Sequence, residues 1–231
     1  MANAGTLPTR LASSGLATTF IAGGRIPFGA AVTRSAAGVV VAAFTPDLAI
    51  LGIAMDDERG HKYDGFYEQY EPVPVVVSGD VRALCCFISN ADMVAGDYLE
   101  LGDFSSHGTT QNWGVLAEAG SAAGEAPVVT AVAQALEDGD FGSAYYLNVA
   151  DVAAGSATLT LHAGGTLSAF GISVGDYVLI ADINGPVEVN RVTATSGTTI
   201  MSMAIPLTNP YDQSDGDLVY RLWQKKVKLI G

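Results

Sequence analysis

The chain has 231 residues, of which 49% are hydrophobic and 15% charged. That is enough apolar material for one large β domain or two small ones, and too much for a disordered chain. The net charge of −13 is uneven: residues 83–190 hold 13 acids and no Lys or Arg, which excludes binding of nucleic-acid phosphates along that stretch.

Residues 1–24 are rich in Ala, Gly, Ser and Thr and predict an extended N-terminal arm that a neighbour would order, with a disordered tail as the other reading of the same composition. They carry Arg10 and no long apolar stretch, unlike an export signal. The longest apolar run, Ala36–Phe44, is too short to span a bilayer, so no membrane partner is expected. Residues 25–55 predict three strands, with Pro46-Asp47 marking a turn. Residues 56–72 break this rhythm, setting four aromatics among eight charged residues and a histidine. Aromatics on a polar background are favoured at protein interfaces, so Tyr63, Phe66, Tyr67 and Tyr70 are candidate contacts with another protein or another copy of this chain. The other reading of the same residues is a loop folded back over its own barrel.

Residues 73–101 predict two or three strands. Cys85 and Cys86 are neighbours on a strand, point to opposite faces and cannot bridge each other; they suit apolar filling. A polar and Gly/Ala-rich connection over 102–126 leads to closing strands at 127–149. The small residues of Ala150–Gly155 set a boundary near 150. Residues 151–231 predict a second β unit, a five- or six-stranded barrel or sandwich. Its Ser173-Val174-Gly175-Asp176-Tyr177 echoes Val94-Ala95-Gly96-Asp97-Tyr98, and Gly216-Asp217 repeats the step. In the C-terminal strand, Val219–Ile230, both faces are mixed after Trp223. The expectation is a strand that leaves the barrel there, with Lys225, Lys226 and Lys228 reaching an acidic surface. No amphipathic helix longer than two turns is predicted.

The fold class is therefore all-β: a small antiparallel β-barrel over 25–150, a second β-barrel or β-sandwich over 151–231, and the arm. No reactive constellation emerges. His61, His107 and His162 stand singly, Asp56-Asp57-Glu58 and Glu137-Asp138-Gly139-Asp140 lack the ligand spacing of a calcium loop, and no nucleophile elbow or phosphate loop is present. No catalytic residue, cofactor or metal is assigned.

The order of the units resembles the capsid cement, or head decoration, proteins of tailed phages and related archaeal viruses. The matching elements are Gly29–Val32, Leu51–Ala54, Val77–Val81, Gly96–Leu99 and Ala135–Glu137, spread over residues 20–150. The resemblance implies a non-enzymatic virion protein, made in the host cytoplasm and seated as a homotrimer on the outer surface of the capsid. Its partners would be the major capsid protein and itself. Two other classes stay open on the residues: a tail, baseplate or receptor-binding module, and a glycan-acting hydrolase with its carboxylates between the two β units.

Overall fold

A computed structural model describes residues 16–43, 49–56, 64–86, 93–102, 113–119, 130–139, 146–162, 165–182, 185 and 187–230. The described chain is all-β, with one 3-10 turn at Ser168–Phe170. Sixteen strands account for it: β1 Leu16–Ala22, β2 Ile26–Pro27, β3 Ala31–Ala36, β4 Val39–Ala42, β5 Gly52–Ala54, β6 Phe66–Tyr67, β7 Pro72–Cys86 and β8 Tyr98–Leu101. They continue as β9 Leu116–Glu118, β10 Ala133–Ala135, β11 Tyr146–Asn148, β12 Thr158–Thr160, β13 Tyr177–Ala181, β14 Val187–Ser196, β15 Ile200–Met203 and β16 Leu218–Leu229.

The pairings close into three rings. The first runs β1–β4–β3–β5–β7 and closes where β1 pairs antiparallel with β7. The second runs β7–β9–β8–β10–β16 and closes through eight pairs between β16 and β7, from Leu222–Cys86 to Leu229–Gly79. The third runs β16–β13–β14–β15–β12 and returns to β16 through β11, by a bridge between Val149 and Leu161. Closure of this kind removes unpaired strand edges.

Two long strands serve two rings each. The first half of β7 belongs to the first ring and its second half to the second, with the change at Gly79, whose φ is 92°. The strand runs through Ser78-Gly79-Asp80 unbroken, because a glycine at positive φ turns a strand without ending it. β16 divides in the same way at Leu222. It does not leave the barrel after Trp223 as the sequence predicts. Val227 and Leu229 are buried in the second ring beside Val81, Ala83 and Cys85, and this burial holds the strand although its other positions are lysines.

β13 explains how the rings join. All five of its residues are buried. Tyr177, Leu179 and Ala181 face a core shared with Phe28, Phe66, Val75 and Leu84 of the first half. Val178 and Ile180 face the interior of the third ring, with Leu159, Leu161, Met201 and Val219. A strand covered on both faces is apolar throughout, as Tyr177-Val178-Leu179-Ile180-Ala181 is. One core therefore crosses the boundary expected near residue 150. Cys86 lies in that shared core and Cys85 in the second ring's core, on opposite faces as alternation requires.

The repeated Gly-Asp step is a turn device. Asp97 accepts a bond from the Val94 backbone N–H at 2.7 Å, and Asp176 accepts one from Ser173 at 2.8 Å. Each follows a glycine at positive φ, 109° at Gly96 and 98° at Gly175. A carboxylate that satisfies the backbone three residues earlier favours this turn before a strand.

The arm expected over 1–24 is corrected in its second half. Leu16–Ala22 is a strand of the first ring, and Phe20 and Ala22 lie in the core. Residues 1–15 lie outside the described residues.

Candidate interaction surface

The aromatic segment divides. Tyr63 lies outside the described residues. Phe66 and Tyr67 form β6, pair with Ile26 and Pro27, and are buried. Phe66 meets Tyr177 edge-on with ring centroids 5.9 Å apart, and Tyr67 packs on Phe28 at 4.8 Å while its hydroxyl donates to the Met55 carbonyl at 2.9 Å. As interface candidates these two are corrected: their rings are occupied by the chain's own core, which is the fold-back reading. Gly65 allows the close approach. Its φ is 85°, and a Cβ there would stand 2.2 Å from the Tyr177 hydroxyl. That hydroxyl donates to the Gly65 carbonyl at 2.7 Å, and burial pushes its pKa well above the usual phenol range.

Tyr70 is different. It is 78% exposed and has a φ of 73°. A left-handed backbone costs a residue with a Cβ about 1–2 kcal/mol, so an exposed Tyr gains nothing here from its own fold. The surrounding turn is pinned on every side. Tyr70 N–H donates to the Ala22 carbonyl at 2.8 Å, Gln69 Nε2 to the Gly23 carbonyl at 3.2 Å, and Glu68 N–H to Glu71 Oε2 at 2.6 Å. Arg25 Nε meets Glu68 Oε1 at 2.9 Å. The aromatic ring is thus carried on a rigid support.

Beside this turn lies an outer wall that the aromatic pattern alone does not disclose. Ile21 on β1 is 40% exposed and is paired with Val39 on one side and Pro72 on the other. Paired residues share a face, so these three side chains stand together outside the first ring. The sequence signal that marks this region is charge: residues 1–46 contain three Arg and no acid.

The C-terminal lysines also divide. Lys225 Nζ donates to the Asp138 carbonyl at 2.8 Å, and Lys226 Nζ stands 3.6 Å from Asp80. Lys226 N–H donates to Glu137 Oε1 at 2.8 Å. The acidic surface they reach belongs in part to their own chain. Lys228 is exposed.

The acidic runs act in turns. Asp138 Oδ1 accepts from Ala95 N–H at 2.7 Å, while Glu137 serves β16 and lies 3.7 Å from Arg82. His61 and His107 lie outside the described residues, and His162 meets Gln213 at 3.3 Å. Among the described residues no three His, Cys, Asp or Glu gather where a metal would sit. A small cleft lined by Gly175, Asp176, Tyr177, Leu222, Trp223 and Gln224 holds Arg221. Its guanidinium lies 3.6 Å from the Trp223 ring centroid and pairs with Asp176 at 3.1 Å. Burial lowers the Arg221 pKa and Asp176 opposes that shift. This is an ion pair stacked on an aromatic, and it stiffens the seam between rings.

The described chain is thus an all-β protein of closed rings that share strands, with an exposed aromatic held on a pinned turn beside the first ring. The particular family follows from comparison with known proteins: residues 2–136 match the model described as structural cement protein (E217 gp24/Pam3 gp6). The chain belongs to this phage structural cement protein family, whose role is structural and capsid-stabilising. No curated protein matches the chain.

Proposed function

We propose that the protein is a non-enzymatic virion component that decorates the outer surface of a capsid, as a homotrimer on the major capsid protein lattice. The observation that carries this reading is the family match over residues 2–136, which spans the first ring and most of the second. Stabilisation would operate by mass action. A protein that binds the assembled shell and not its separated subunits favours the shell by RT ln(1 + [L]/Kd), about 2.7 kcal/mol per site at a hundredfold excess over Kd. The exposed Tyr70 and Lys228 are candidate contacts. Quantitative gel analysis of purified capsids tests the reading: a fixed ratio of this protein to the major capsid protein is expected, and its absence from capsids overturns it. Light scattering of the free and shell-bound protein tests the trimer, and a monomer in both settings refutes that part.

A further inference from the structure

We propose that the outer wall of the first ring, formed by Ile21, Val39 and Pro72 with Tyr70 at its edge, is the face that seats on the capsid shell. This rests on the cement reading above and says which side of the molecule makes the contact. Four observations lead to it.

The first is position. The family match ends at residue 136, so it includes this wall and leaves out the strands β11–β16. A contact belonging to the cement function falls within the matched part.

The second is charge. The protein carries −13, all of it within residues 83–190, whereas beside this wall Arg25 is paired with Glu68. No acid occurs before Asp47. Residues 83–190 present excess carboxylates to any protein they approach; the wall residues Ile21, Val39, Tyr70 and Pro72 lie outside that stretch and approach without its repulsion.

The third is apolar exposure. Ile21 and Tyr70 are among the few large hydrophobic side chains left exposed, at 40% and 78%. Pro72 is exposed beside them and Val39 is half-buried. Such a grouping is what an interface core uses, with an aromatic as its anchor.

The fourth is the backbone at Tyr70. Glycine would occupy φ 73° without strain. A tyrosine held there, with its ring in solvent, is kept against the preference of the backbone. Residues of this kind cluster where binding needs them. The occupant this wall fits is a neutral protein surface of the shell with an apolar pocket deep enough for one aromatic ring.

The test compares the wild-type chain with Tyr70→Gly, Ile21→Asp and a distant control, Val174→Asp, which alters an exposed residue of the third ring. Each is co-sedimented with empty shells of the virus that encodes this chain, melted alone, and sized by light scattering. Wild type and V174D should pellet with equal affinity. Y70G should lose about thirtyfold or more, the scale of an interface hot spot, while melting at or above the wild-type temperature because the backbone strain is relieved. I21D should lose binding to a similar degree. If wild type binds and Y70G binds within about threefold of it, the wall is not the seat. Equal loss in V174D overturns the proposal as well. A change in the size of free Y70G or I21D would make the occupant a second copy, which also overturns it. Failure of wild type to bind at all removes the cement reading, and this inference with it.

Discussion

Deleting residues 151–231 removes what the sequence presents as a separate unit, and the structure predicts that the remainder will not fold alone. β16 supplies one of the five strands of the second ring, and its residues Leu222–Leu229 make eight pairs with β7. Val227 and Leu229 are buried in that ring and Leu222 in the shared core. Three such side chains contribute about 1.5–3 kcal/mol each, or about 5–9 kcal/mol together. The whole stability of a domain is only about 5–15 kcal/mol. The same deletion takes Tyr177, Leu179 and Ala181 from the shared core, so the loss exceeds what the first half retains. Far-UV circular dichroism and urea titration of residues 1–150 should show no cooperative transition. Co-expression with residues 151–231 should restore one. A fragment 1–150 that unfolds cooperatively, within a few degrees of the full chain, would refute the shared-core argument.

Tyr177→Phe should cost about 1 kcal/mol in thermal unfolding, the net worth of one hydrogen bond. The penalty stays small because the Gly65 carbonyl keeps its second bond, from Phe28 N–H at 3.0 Å. Burial pushes the Cys85 thiol from its ordinary 9.0 up to about 12, with Lys225 opposing. Its folded pKa is raised, so its contribution to stability is whole below about pH 9 and declines as pH climbs toward 12, at about 1.4 kcal/mol per unit. Urea midpoints at about pH 8 and about pH 10.5 should therefore diverge less in Cys85→Ala than in wild type. Replacing Lys225 and Lys226 by Gln should change stability by under about 1 kcal/mol, since one loses an exposed hydrogen bond to the Asp138 backbone carbonyl and the other a partly solvated ion pair with Asp80. Lys228→Gln should weaken binding to shells at about 0.05 M salt and not near 1 M, as screening requires; a salt-independent loss would exclude charge attraction as its role.

Some of this protein was determined by the sequence alone. Alternating and β-branched runs bounded by Gly and Asp mark an all-β chain, because those turns and that pleat are local chemistry. The Gly96-Asp97 and Gly175-Asp176 echoes come from the same bond, a carboxylate accepting from the backbone three residues earlier. The opposite faces of Cys85 and Cys86 follow from the strand period. The order of short motifs was sufficient to point to the cement family. The aromatics of 63–70 were legible only as a group. Whether a ring is anchor or core depends on what packs against it, and Tyr177, 110 or more residues away in sequence from Phe66 and Tyr67, decides that for Phe66. β13 is apolar on both faces, which sequence cannot distinguish from a single thick core until two cores are seen to flank it. The lysines near the C-terminus disguised a central strand, because Val227 and Leu229 hold it by burial while Lys225 and Lys226 find partners on Asp138 and Asp80. Turns and strand periods are set within a few residues; which strands become neighbours is set by long-range burial, and only the tertiary structure decides it.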